Sequence, residues 1–295
     1  MSELEDDYAA HSLAESGEDH RWAFGTGFTD ALEGVDTTVP DGVDADALAA
    51  YCLMLGDDAL ILSHRLQQWM THAPELEEET AIGNIALDLL GQARMLLARA
   101  GKADGSGRDE DSYAFFRHEN EFRNVRLVER VDVDFAEMLA RLLIFSTWRL
   151  AQFDALRGSR DQVLAAIAAK GVKELTYHRD YAARWVVRLG DGTAESHRRM
   201  QQALEAVWPL VDELFRPLPV EQALPDVAVD SAALRPGFDV ILDTVLATAT
   251  LDRPGTGALA GVRGRYGREG LHTEAFGYLL AELQSVARAD PEATW

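Results

Sequence analysis

The chain has 295 residues and a single cysteine, Cys52. One thiol excludes an internal disulfide and a cysteine-based zinc site. Its place in an apolar helical run makes it a small core residue. Positive charge is scarce too. Against 50 aspartates and glutamates stand 28 bases, only three of them lysine (Lys102, Lys170 and Lys173), and the net charge is −22. Nucleic acids and anionic membranes reward clustered lysine and arginine, so neither is an expected partner, and the acidity reads as a solubility feature. No stretch approaches the roughly 20 apolar residues that span a bilayer. The first residues, MSELEDDYAA, are acidic where a secretory signal is basic, which predicts a cytoplasmic protein. No phosphate-binding loop and no Gly-x-Ser-x-Gly elbow occur. Sustained two-residue alternation is missing as well, so the expected fold class is all-α.

What the chain does have is helical period. Residues 1–43 show none: they are acidic, carry one base (Arg21) and glycines at 17, 25, 27, 34 and 42, and read as a mobile tail ahead of a helical domain at 44–295. Long helices are expected at 44–69, 75–101, 134–156, 161–189 and 194–215, a shorter one at 237–250 and a last one at 273–289. Asp44 is the expected N-cap of the first. The second opens on Pro74 and a run of glutamates suited to the helix dipole, and Gly101 stands where a C-cap glycine would. Its stripe Ile82, Ile85, Leu89, Gln92 and Leu96 repeats every three or four residues and faces inward. The third helix turns Phe135, Leu139, Leu142, Phe145 and Trp148 or Arg149 toward the core. A linker at 102–112 and a short helix within 113–131 separate the two helix pairs. The loop 253–270 is rich in glycine and holds Arg253, Arg263, Arg265 and Arg268. It reads as an ordinary solvated loop, with contact to a phosphate-bearing ligand or an acidic partner as the alternative.

Several long helices with acids and histidines in their middles raise the question of a di-iron carboxylate centre. Such a centre takes about four carboxylates and two histidines, commonly from two Glu-x-x-His pairs, because residues three apart share a helix face. Of the histidines, only His272 has a glutamate three residues before it, Glu269, and Gly270 between them argues against a regular helix. The first helix offers Asp57 or Asp58. The second puts Leu89 and Gln92 where a Glu and a His are needed, with Asp88 off the face. The third has no acid between Glu137 and Asp154. The fourth has His178, but Leu175 stands at its partner position and Glu174 lies about 100° around the axis. A competent dinuclear site is therefore not expected, and Asp58 and His178 read as satisfied core polar groups.

Three blocks carry a family resemblance: LGDDALILSHRLQQWMTHAPELEEETAIGNIALDLLGQARMLLARAG (55–101), RLGDGTAESHRRMQQALEAVWPLVDELF (188–215) and GLHTEAFGYLLAEL (270–283). With the order kept from about residue 44 to Trp295, the chain resembles the structural-subunit family of the phenylacetyl-CoA 1,2-epoxidases. The resemblance implies a ferritin-like four-helix bundle with additional C-terminal helices. It also implies a place in a multicomponent monooxygenase that epoxidises the aromatic ring of phenylacetyl-CoA with O₂ and electrons from NADPH, delivered by a reductase. The di-iron cofactor then belongs to a paralogous catalytic subunit, with which this chain pairs as a heterodimer before further assembly. On that expectation the chain has no catalytic residue, cofactor or metal of its own, and Asp58, Leu89, Gln92, Glu174, Leu175 and His178 are degenerate ligand positions. Two other readings stay open on the residues alone: an autonomous metal-dependent oxygenase using Asp58, Glu174 and His178, and a ferritin-like iron-binding protein.

Overall fold

Asp44, Asp134, Asp161 and Thr193 each place a side-chain oxygen on a backbone N–H three residues ahead, at 2.9–3.2 Å. An N-cap of this kind contributes about 1 kcal/mol and sets where a helix begins. These four open α1 (Ala45–Met70), α4 (Phe135–Leu156), α5 (Gln162–Gly190) and α6 (Ala194–Val207). The remaining helices are α2 (Leu76–Ala103), α3 (Glu110–Phe115), α7 (Pro219–Ala223), α8 (Arg235–Thr248) and α9 (Glu274–Ala289). The computed structural model describes Leu32 and residues 34–292. Among these residues there is no strand, only an isolated bridge between Val262 and Arg265.

The helices α1 and α2 form one hairpin and α4 and α5 another. α2 lies against α5, and together the two hairpins make the expected ferritin-like four-helix bundle. The stripe Ile82, Ile85, Leu89, Gln92 and Leu96 of α2 is buried throughout, and Cys52 is a buried core residue whose thiol pKa is pushed up by that burial. α4 is the central element: every residue from Met138 to Arg149 is buried. α6 and α8 pack on the α4–α5 pair, and α9 closes over α3.

Three differences from the sequence reading have physical causes. Gly101 does not end its helix. α2 runs on to Ala103, and a Cβ at Gly101 would meet the Arg108 carbonyl oxygen at 1.9 Å. The glycine is there for a close backbone approach. The helix expected to run from 194 to 215 stops at Val207 and continues as two 3-10 turns, Trp208–Leu210 and Asp212–Phe215. Pro209 lacks an N–H and crowds the carbonyl one turn back. The segment 113–131 holds no helix of its own beyond the end of α3, only 3-10 turns at Glu119–Glu121 and Arg126–Glu129.

The tail expected at 1–43 lies, for residues 1–31 and 33, outside the described residues. Residues 34–43 belong to the same unit as the helices. Arg99 donates to the Thr37 and Thr38 carbonyls (2.6 and 3.2 Å), and Arg160 donates to that of Asp41 (2.8 Å).

Two of the three glycines of α2, Gly91 and Gly101, give a paired test. Gly91→Ala, with nothing within 4 Å of the new methyl, is expected to stabilise by about 0.5–1 kcal/mol through helix propensity. Gly101→Ala is expected to destabilise by about 1–3 kcal/mol. Urea midpoints of both variants check this, and an equal response at the two positions contradicts the close-approach argument.

Candidate functional site

Two adjacent acids of α1, Asp57 and Asp58, are fully buried. They point about 100° apart around the helix axis and collect different partners. Asp57 is gripped by both Nη atoms of Arg117 and accepts from the Arg123 backbone N–H at 2.8 Å. Asp58 accepts four bonds. The Val125 backbone N–H (2.8 Å) and Arg268 Nη1 (3.1 Å) donate to Oδ1, while Arg149 Nη2 (2.8 Å) and Arg268 Nη2 (2.7 Å) donate to Oδ2. A carboxylate has about four acceptor positions, so Asp58 is saturated.

Arg149 sits in the buried middle of α4, where the sequence shows no acid. Nη2 also donates to the Leu55 carbonyl (3.2 Å), and Nη1 donates to Gln152 (2.9 Å). Burial pushes its pKa down to about 10, against the attraction of Asp58, so it is a cation at neutral pH. Arg268 comes from the glycine-rich loop and turns inward, donating also to the carbonyls of Met54 and Arg123. The expectation of an ordinary solvated loop fails at this residue. Arg253 is engaged as well, with Asp239 and Asp243, while Arg263 stays exposed at the loop's tip.

The other candidate positions gather elsewhere. Gln92 Nε2 donates to Glu174 at 2.9 Å, and Lys170 lies 3.4 Å from the same carboxylate. His178 Nε2 pairs with Asp88 at 3.0 Å. Its Nδ1 and the Gln92 Oε1 are buried without a partner among the described residues, so His178 is only half satisfied. Leu89 and Leu175 are fully buried and offer no donor atom. No hydrogen bond among the described residues joins Asp58 to this group. Glu269 and His272 do not form a helical pair: Gly270, at φ 73°, breaks the turn between them. His272 instead meets Glu129 at 2.6 Å and the Phe122 carbonyl at 3.1 Å, and Glu129 also accepts from Asn124 and the Thr273 backbone.

A di-iron centre needs about six converging oxygen and nitrogen ligands. Here Asp58 is taken by two guanidiniums, and of the positions expected for ligands two are leucine and a third is a glutamine amide. This donor set does not fit such a centre. Among the described residues, acids close enough together to share a metal occur as Glu75, Glu77 and Glu78, a cluster at the start of α2 where negative charge complements the helix dipole. Sequence reasoning turned Trp148 or Arg149 inward and named Arg268 in the loop, but missed that both arginines meet Asp58. A signal was present, since an arginine on the apolar stripe of a core helix requires a buried acid opposite it.

With the geometry in place, comparison with known proteins decides the family. Residues 34–295 match the phenylacetic acid catabolic protein family. The chain belongs to it. It is also 43% identical over 250 residues to one of the subunits of the 1,2-phenylacetyl-CoA epoxidase of Escherichia coli strain K12. That alignment covers 84% of this chain and 99% of the relative. No described helix is long and apolar enough to cross a membrane.

Asp58→Ala leaves two buried guanidiniums without their counter-charge. Its expected cost is about 3–5 kcal/mol of unfolding free energy. Urea denaturation followed by circular dichroism measures it, and a loss below about 1 kcal/mol, the scale of a surface ion pair, contradicts the assignment.

Proposed function

We propose that this chain is a non-catalytic structural subunit of a cytoplasmic phenylacetyl-CoA 1,2-epoxidase complex. Its role is to bind the di-iron catalytic subunit and hold it in its active shape, while a separate reductase supplies electrons. The chain holds no metal or organic cofactor of its own. The observation that carries this reading is the saturation of Asp58 by Arg149 and Arg268, in a chain with Leu89 and Leu175 at ligand positions. The likeness to an epoxidase subunit over nearly the whole helical region supports the choice of complex. A guanidinium pair neutralises the central acid without any ion, so the bundle keeps its shape with no metal supplied.

The test is elemental analysis after size exclusion, on the chain alone and on its complex with the catalytic partner. The expected result is no iron alone and about two irons per heterodimer, as a dinuclear partner requires. Stoichiometric iron in the isolated chain overturns the reading. A second arm uses Glu174→Ala with His178→Ala, which is expected to leave epoxidation by the assembled complex within about twofold of wild type. Loss of turnover with the complex intact would return the metal to this chain.

A further inference from the structure

The run from Arg253 to Arg268 contains no aspartate or glutamate, in a chain that has 50 of them. Its arginines divide by task. Arg253 pairs with Asp239 and Asp243, Arg268 with the buried Asp58, and Arg265 donates to the Glu269 carbonyl at 2.6 Å. Arg263 does none of this. Among the described residues, Arg263 and Arg184 are the arginines whose side chains make no hydrogen bond, ion pair or ring contact. Everywhere else the chain sets a guanidinium against an acceptor or an aromatic ring.

The backbone presents this one free arginine on a braced stalk. Val262 and Arg265 exchange two hydrogen bonds, each 3.1 Å, and close a two-residue turn of Arg263 and Gly264. Both central residues have positive φ, 53° and 77°, as a type I′ hairpin turn requires. Glycine or asparagine takes that conformation freely, whereas an arginine at Arg263 is strained. Below the tip the loop is tied down. The Leu259 N–H donates to the Pro209 carbonyl at 2.7 Å, and Arg126 donates to the Leu259 and Ala260 carbonyls at 3.1 and 3.4 Å. Arg126 and Arg216 lie over the Tyr266 ring at 4.9 and 3.7 Å. The tip itself stands clear: residues 262–265 are exposed, and a Cβ added at Gly264 would meet nothing within 4 Å.

Shape and sign select what the tip meets. Small-molecule sites are concave, and a protruding turn offers no such cavity, so its counterpart is a recess in a macromolecule. A chain of net charge −22 repels nucleic acids, anionic membranes and a second copy of itself. Val262 on the tip and Leu259 at its base are 60% and 46% exposed, which suits the apolar wall of a protein recess. A lone guanidinium is complementary to a carboxylate, which its fork grips with two hydrogen bonds. We propose that the Val262–Arg265 tip enters a recess of a different protein chain, where Arg263 pairs with an aspartate or glutamate and Val262 packs on the wall. The proposal rests on the structural-subunit reading, which makes that chain the catalytic partner.

The experiment measures the affinity of this chain for its separately purified catalytic partner by biolayer interferometry, beside thermal midpoints of the chain alone. Arg263→Gly removes the guanidinium and relieves the strained φ together. Its midpoint is expected to hold or rise, while affinity falls roughly 10-fold or more, as loss of a charged anchor does. Arg263→Glu is expected to weaken binding further. Arg184→Ala on α5 removes the same charge from another free arginine and is expected to stay within about twofold. Raising ionic strength to about 0.5 M weakens the wild type more than Arg263→Gly. Wild-type affinity in both Arg263 variants overturns the proposal and leaves the structural-subunit reading standing. Three other results do the same. An equal loss in Arg184→Ala means that net charge suffices, and a lowered midpoint in Arg263→Gly means that the arginine serves the fold. A change confined to self-association in sedimentation makes the occupant a second copy. No binding by the wild-type chain overturns both readings.

Discussion

Asp57 and Asp58 are the fixed point from which the interior is assembled. Taking a carboxylate out of water costs several kcal/mol unless cations and N–H groups surround it, and two adjacent ones on a helix double the demand. The chain meets it from three directions at once. The crossing segment after α3 brings Arg117 and the N–H groups of Arg123 and Val125, α4 brings Arg149, and the glycine-rich loop brings Arg268. Elements without a helix of their own are thus fixed by ionic contacts to one turn of α1. This explains how a stretch of 3-10 turns can cross the bundle with its backbone groups paired.

The same solution recurs around that turn. Arg99 pairs with Asp161, Arg126 with Glu213 and Arg141 with Asp132, all buried. Burial raises the pKa of Glu213 and Asp132, while their arginines act against it. Arginine suits these places better than lysine. Its planar fork makes several directed bonds and loses less hydration, and this chain, with three lysines, is built almost wholly on it. The pairs also join distant elements: Arg126 links the crossing segment to the turn after α6, and Arg99 links α2 to the start of α5.

Helix positions were legible in the sequence because the forces that set them are local. A cap three residues from its N–H and a stripe repeating every three or four residues lie within one window, and α1, α4 and α5 begin and end within a residue or so of expectation. The residue types at Leu89, Gln92 and Leu175 were legible for the same reason, since positions three apart lie within one turn. The partners of Asp58 were not. Asp58 and Arg268 are 210 residues apart, and nothing local says which acid an inward arginine meets. Gly101 shows the limit from the other side. Its neighbourhood resembles a helix end, and only the approach of Arg108 from beyond the loop reveals why no side chain fits.

The arginines bear on how such a bundle can serve a partner. In a carboxylate bundle that binds iron, the charge holding the acids in place arrives from solution, and the interior is complete only when the ion is present. Here the counter-charge is part of the chain: Arg149 projects from α4 and Arg268 from the loop before α9, both into the same carboxylate. Asp58 of α1 is therefore held against α4 by the chain's own charge. On the proposed structural-subunit reading, a partner that must assemble its own metal centre gains from docking on a bundle of that kind. α1 carries Asp58 on its inner side, where Arg149 and Arg268 close on it. A bond network that fixes α1 from within also fixes the surface it offers outside.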